Sequence, residues 1–237
     1  MKTSKIIFIG MLSTIALLMM VGAIDLRITG QKGNNFQVDF KVIRKKIPSF
    51  KVLCINDNGS IELVKGDSSF IDIVMKDLKV PDKKDSMAPD LKYTLTGDTL
   101  KLSDRMMSGG RSFRIKIHTT DLLKQILAKN STVNLTNFCY SNLSLDLDHS
   151  RLNINQIKDE KQTFQLLNIA AKNNSNITTS NTGIDTLKID LQKSNAIIMS
   201  NLNTICGNLT DHSKIVLRQV NQISLKKDAS SKIQIYN

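Results

Sequence analysis

Asp148-His149-Ser150 and Asp211-His212-Ser213 each set a carboxylate, an imidazole and a hydroxyl in succession. These are the groups a hydrolase uses as orienter, base and nucleophile. Adjacent residues cannot converge as a triad does, because those roles need side chains brought together from separate parts of a chain. The two tripeptides instead fall at the same place in an internal repeat. Aligned on the serine, the preceding residue is Asn130, His149, Asn174, Lys193, His212 and Ser230, a column of assorted polar residues. Three repeat units separate the two histidines, about 14 Å at the spacing of stacked strands, which is too far to share one metal ion. Asp148, His149, Asp211 and His212 are the candidates the sequence offers for a site, and a polar corner is the simpler reading of all four. No residue takes a catalytic, cofactor-binding or metal-binding role.

Other reactive side chains are isolated. His118 has no carboxylate or second histidine at a zinc-like spacing such as i, i+4, and reads as a surface or strand-end residue. Asp25, Asp39, Asp57, Asp67, Asp72 and Asp77 are scattered and follow no calcium-loop pattern. Cys54, Cys139 and Cys206 allow at most one intramolecular bridge; Cys54 and Cys206 sit in strand-like runs and read as small buried apolar residues. Tryptophan is absent and aromatics make up 5% of the chain, which leaves few platforms for stacking bases and argues against a nucleic-acid partner. The 33 Lys and Arg outnumber the 21 Asp and Glu, giving a net charge of +12. That balance favours acidic partners: an anionic envelope glycan, a lipid or a protein. The basic clusters Arg44-Lys45-Lys46, Lys83-Lys84 and Lys226-Lys227 otherwise read as solvated charge.

The elements that position these residues are strands. Apolar residues alternate with polar ones in Leu143-x-Leu145-x-Leu147, Leu152-x-Ile154, Leu187-x-Ile189-x-Leu191, Ile215-x-Leu217, Ile223-x-Leu225 and Ile233-x-Ile235, and a period of two means a strand with one face buried. Only Asp121–Lys129 reads briefly as helical. The strands recur. Ser131, Ser150, Ser175, Ser194, Ser213 and Ser231 each stand two residues before an apolar position, at spacings of 19, 25, 19, 19 and 18. A second strand lies upstream of each serine, its frame shifting by one between copies as a one-residue difference in corner length would produce.

A strand, corner, strand unit of about 19 residues can bury its apolar face only by stacking on its neighbours. The expected fold is therefore all-β, a right-handed parallel β-helix, or solenoid. A sandwich or antiparallel barrel fits less well, because the chain after Gly110 has neither Asn-Gly nor Asp-Gly for tight hairpins and only Gly183 and Gly207 as glycines. The corners are rich in asparagine, with 17 Asn between Asn130 and Asn237, a residue that tolerates left-handed backbone.

At the start of the chain, lysines within Met1–Lys5 precede the uncharged run Ile6–Ile24, which ends in Val21-Gly22-Ala23. This reads as a secretory signal peptide cleaved after Ala23, or as an uncleaved membrane anchor. The expected organisation is residues 1–23 as signal or anchor, 24–48 as a leading segment and 49–237 as one β-helical domain. The protein is expected to be exported to the periplasm, outer membrane or cell surface, or to be anchored in the inner membrane facing the periplasm.

Three further segments carry a family pattern: Ile61-x-Leu63-x-Lys65-Gly66-Asp67, Gly97-Asp98-Thr99-Leu100-x-Leu102, and Ile115-x-Ile117-His118-x-x-Asp121-Leu122, followed by the strand-and-serine units. Over about residues 49–237 this order resembles the head GIN domain family of putative auto-transporter adhesins, exported bacterial proteins of largely unknown function. The chain departs from the family's glycine-rich corners by using Asn, Lys and His, and carries a charged insertion between Val80 and Asp90. The resemblance implies a right-handed β-helix in the cell envelope and transfers no catalytic residue. The expected function is a non-enzymatic binding or surface-interaction module. The alternatives are a polysaccharide-acting enzyme on a β-helix scaffold, or an envelope assembly protein that associates through the ends of the solenoid.

Overall fold

The computed structural model describes residues 40–57, 59–76, 93–103, 113–136, 138, 140–155 and 163–236. Residues 1–23, expected to be a signal or anchor, the insertion between Val80 and Asp90 with Lys83-Lys84, and Cys139 lie outside the described residues. The described residues form strands and no helix. The strands are β1 (Phe40–Lys46), β2 (Val52–Asn56), β3 (Ser60–Lys65), β4 (Phe70–Lys76), β5 (Tyr93–Thr96), β6 (Thr99–Ser103), β7 (Phe113–Thr119), β8 (Gln125–Lys129) and β9 (Thr132–Thr136). They continue with β10 (Asn142–Asp148), β11 (Arg151–Asn155), β12 (Thr163–Lys172), β13 (Asn176–Gln192), β14 (Asn195–Thr210), β15 (Lys214–Arg218), β16 (Val220–Lys227) and β17 (Lys232–Tyr236).

Pairing runs in two ladders. One passes through β5, β6, β2, β8, β10, β12, the C-terminal parts of β13 and β14, and β16. The other passes through β1, β4, β7, β3, β9, β11, the N-terminal parts of β13 and β14, β15 and β17. From β8 onward the chain visits the ladders alternately, and β13 serves both by shifting register between Ser180 and Gly183. All pairings in this stretch are parallel. Antiparallel pairing is confined, among the described residues, to β1–β4, β4–β7 and β5–β6. The fold is thus an all-β, mostly parallel sheet.

The stacking register follows the serine repeat. Val133, Leu152, Ile177, Ala196, Ile215 and Ile233 are consecutive partners in one ladder. The first five are at most 1% exposed, so each apolar side chain rests on the same kind of side chain one strand away. Burying a Leu or Ile in this way contributes about 1.5–3 kcal/mol relative to exposure. The other ladder stacks Ile126, Leu145, Ile169 and Ile189 in the same fashion.

The corner lengths explain the shift of frame between repeats. Asn130, His149 and Lys193 each make a corner with one left-handed residue, at φ 49°, 48° and 49°. Asn173-Asn174 and Asp211-His212 make corners with two, at 57° and 62° and at 60° and 63°. The extra residue is absorbed at the bend, and the strands on either side stay in register.

Two expectations change. Asp121–Lys129 is not helical: Asp121 and Leu122 form a turn and Gln125–Lys129 is β8, with Ile126 and Ala128 buried and Gln125 and Leu127 facing out. Nine residues offer too little helix to compete with a strand that pairs on both sides, with β2 and β10. Cys54 and Cys206 are not core residues either. Leu53 and Ile55 take the inward positions of β2, and Ile205 that of β14, so both cysteines face outward, half-buried and unbridged. Strand β1, within the segment 24–48, pairs along its whole length with β4.

Candidate functional site

The outward face of the first ladder is where side chains of different chemistry are brought together. One row of register partners runs Cys54, Leu127, Asp146, Ala170, Asp190, Asn208, and the row beside it runs Asn56, Lys129, Asp148, Lys172, Gln192, Thr210. Strands separated by one neighbour are about 9.6 Å apart, so Asp146 and Asp190 flank Ala170 across that span. The small alanine leaves a groove of about 740 Å³, lined by both rows apart from Cys54. Its floor is Leu127, Ala170 and backbone, and its walls carry three carboxylates and two ammonium groups.

Each carboxylate is tied to the next strand. Gln125 Nε2 donates to Asp146 Oδ2 at 2.8 Å, Asn173 Nδ2 to Asp148 Oδ1 at 2.7 Å, and the backbone N–H and Nδ2 of Asn208 to Asp190 Oδ1 at 3.0 and 2.8 Å. The Asn173 hydrogen bond, helped by His149 and Lys172, holds the Asp148 carboxyl below its ordinary value despite some desolvation. That direction suits a fixed anion and opposes use as a general acid, which needs a raised pKa. Lys172 Nζ lies 3.7 Å from Asp148 Oδ2, so that carboxylate has a cation beside it within the row.

Of the sequence candidates Asp148 lines this groove, while His149 follows it and Asp211-His212 follow the lining residue Thr210 at the corners. His149 Nδ1 is 3.1 Å from Asp148 Oδ1, with the histidine side chain 53% exposed. His212 Nδ1 is 4.0 Å from Asp211 Oδ1, with the side chain 82% exposed. Both histidines are in left-handed backbone, a conformation His adopts more readily than most residues. The serines do not point outward with them. Ser150 and Ser213 are buried, and each hydroxyl has two backbone engagements. Ser150 Oγ accepts from Ser131 N at 3.2 Å and donates to the Asp148 carbonyl at 2.8 Å; Ser213 Oγ accepts from Ser194 N at 3.2 Å and donates to the Thr210 carbonyl at 2.6 Å.

Ser175 and Ser194 repeat the arrangement, and Ser231 accepts from Ser213 N. A column of hydroxyls thereby satisfies amides that the corners would otherwise bury unpaired. Sequence alignment found the column but not its direction, because a serine before an apolar residue reads as surface-polar. At the last corner Asp228 takes over. Its carboxylate accepts from the backbone of Asp211, Ser230 and Ser231, contacts that hold its pKa far below the ordinary carboxylate range.

A second cluster was not visible in the sequence because its members come from three strands. Arg44 forms two hydrogen bonds to Asp72, at 2.8 and 2.9 Å, and lies over the Phe70 ring. His118 stacks on the same ring at 3.9 Å between centroids, and its Nε2 is 3.4 Å from Asp72 Oδ2. With its side chain 17% exposed, His118 is largely covered, and of the two readings, surface or strand end, it is the strand end that holds, one residue before the end of β7. This cluster pins the antiparallel strands β1, β4 and β7 together. Among the described residues no group of three or more His, Cys, Asp or Glu is placed to hold a metal ion.

No family model and no curated protein matches the chain. Solved structures do. The chain is similar to a putative lipid binding protein from Parabacteroides distasonis ATCC 8503, with a TM-score of 0.53 and 11% identity over 86% of this chain and 98% of that one. It is also similar to a putative adhesin from Bacteroides fragilis NCTC 9343, with a TM-score of 0.53 and 16% identity over 84% of this chain and 97% of that one. A putative adhesin from Parabacteroides distasonis ATCC 8503 aligns with a TM-score of 0.48 at 12% identity, over 84% of this chain and 94% of that one. These likenesses are of fold.

Proposed function

We propose that this chain is a non-enzymatic, exported envelope protein of the head GIN type. In this reading residues 1–23 direct export and the remainder forms one right-handed parallel β-helix that binds a surface component in the groove around Ala170. Alternate visits to two parallel ladders support the helical path, and crossovers between parallel strands are right-handed almost without exception. The names of the similar structures, putative adhesins and a putative lipid binding protein, point the same way and name no reaction.

The observation that carries the reading is the engagement of Ser150 and Ser213. The serine that follows each Asp-His pair is buried and committed to backbone, so neither Asp-His-Ser tripeptide presents its serine as a free nucleophile. The groove presents fixed acceptors and donors on a rigid sheet, which suits recognition of a hydrogen-bonding surface such as a glycan or lipid headgroup.

The test uses three immobilised probes: hyaluronan as an anionic glycan, dextran as a neutral one and phosphatidylglycerol vesicles as a lipid surface. The protein should be retained on at least one. Ala170→Trp, which fills the groove, should cut that retention at least about tenfold, some 1.4 kcal/mol, with an unchanged melting temperature. Release of reducing ends from a polysaccharide, or retention that ignores Ala170→Trp, would overturn the reading. Sequencing the mature N-terminus tests export, with Ile24 expected as the first residue and a carbonate-resistant full-length form as the contrary result.

A further inference from the structure

The two ends of the ladders are finished differently. At one end antiparallel strands cover the core, β5 on β6 and β1 on β4. At the other, β16 and β17 each pair along one edge only among the described residues, with β14 and β15 respectively. Their inward side chains continue the apolar columns, and among the described residues no strand is stacked on them. Ile223 is 42% exposed and Ile235 is 49% exposed, whereas their partners Ile205 and Leu217 are fully buried.

The two open edges are not equivalent. In β16 the inward column that holds Leu209 one strand earlier is occupied by Lys227. A charge facing inward on an edge strand discourages further pairing. In β17 the inward positions are Ile233 and Ile235, with no charge between them, and Lys232 and Tyr236 face outward. An added strand beside β17 gains backbone hydrogen bonds, apolar cover for two isoleucines and a neighbour for Lys232, which already lies next to Lys214.

Charge selects the occupant. Strands β15 to β17 with their connections carry Lys214, Arg218, Lys226, Lys227 and Lys232 against Asp228 alone, and that carboxylate is spent on its own corner. A second copy meeting this end by its own end would set these five basic residues against the same five. A head-to-tail copy would offer β1, which carries Lys41, Arg44, Lys45 and Lys46. Either arrangement is opposed by like charge.

We propose that the open edge of β17 accepts a strand from a different protein, an extended segment in which apolar residues alternate with acidic ones. The inference is independent of the groove. The apolar side chains of the segment cover Ile233 and Ile235, and an acidic one stands beside Lys232.

The test is fluorescence anisotropy with two labelled heptapeptides, one alternating glutamate with isoleucine and one alternating lysine with isoleucine, titrated to about 1 mM at low and high salt. The acidic peptide should bind, weaken with salt and lose at least about tenfold in affinity on Lys232→Glu or Ile235→Lys, while both variants melt as the wild type does. The basic peptide should not bind. Equal binding of both peptides, binding of neither, or insensitivity to Lys232→Glu would overturn the proposal. So would sedimentation of the wild type as a dimer that Ile235→Lys converts to a monomer, because the edge would then belong to a second copy.

Discussion

Gly207 lies flat against Ile189, its partner one strand away: a Cβ built on Gly207 would sit 1.8 Å from the Ile189 carbonyl oxygen. Its φ of 141° belongs to glycine, and the next residue, Asn208, donates its backbone N–H to Asp190 instead of to the ladder. Glycine here lets β14 approach β13 closely beneath the groove. Gly207→Ala must move backbone on both strands, so a loss of about 2–4 kcal/mol is expected, read as a lowered urea midpoint. A midpoint within error of the wild type would show that the two strands can part without cost.

The serine column makes a separate prediction. Ser194→Ala removes the acceptor for Ser175 N and the donor to the Gln192 carbonyl, and leaves a buried amide unpaired. The expected cost is about 1–3 kcal/mol. At the neighbouring corner His212→Asn keeps a residue that tolerates left-handed backbone and should be neutral. His212→Val should cost about 1–2 kcal/mol from the φ of 63° alone. Equal melts for the Asn and Val variants would mean that the corner is not held in that conformation.

The strands and their stacking register were legible because both rest on period two and on a serine every 18 to 25 residues, signals local to each repeat. What was not legible came from partners far apart in the chain. Asp72 and His118 meet through β4 and β7, whose antiparallel pairing leaves no periodic trace. The groove depends on Ala170 standing between Asp146 and Asp190, a relation set by the ladder and not by spacing along the chain. The polar-corner reading of Asp211 and His212 does not extend to Ser213, which is fully buried. The left-handed pair at that corner turns its hydroxyl inward, so the three residues do not act as one exposed patch.

Ile215 stacks between Ala196 and Ile233 and is fully buried. Ile215→Asp would place a carboxylate in that column with no cation or donor from the ladder to meet it, at a cost of several kcal/mol. That is a large share of a domain's stability, and the variant should be unfolded at room temperature. Ile235→Asp, in the same kind of column but 49% exposed, should remain folded. Circular dichroism of the two variants gives the answer, and a folded Ile215→Asp would contradict the stacking register.

Acid should lower the stability of the protein in two pH windows, and the first belongs to His118. Burial pushes its imidazole below the ordinary value, with Asp72 opposing and Lys116 and Arg44 adding to the effect. A histidine whose pKa is lower folded than unfolded binds fewer protons in the folded state across that window, so stability falls as pH drops through the unfolded value of about 6.5. Asp72 acts later. The Arg44 hydrogen bonds hold its carboxyl below the ordinary range, so its contribution is present above about pH 3.9 and is lost as pH falls toward the folded value. Melting temperatures measured from pH 8 to pH 3 should therefore decline near pH 6 and again below pH 4. His118→Gln should remove the first decline and leave the second, whereas Asp72→Asn should lower stability at neutral pH by leaving Arg44 without its carboxylate. A first decline that persists in His118→Gln would assign it to another group and leave the stacked His118 as packing alone.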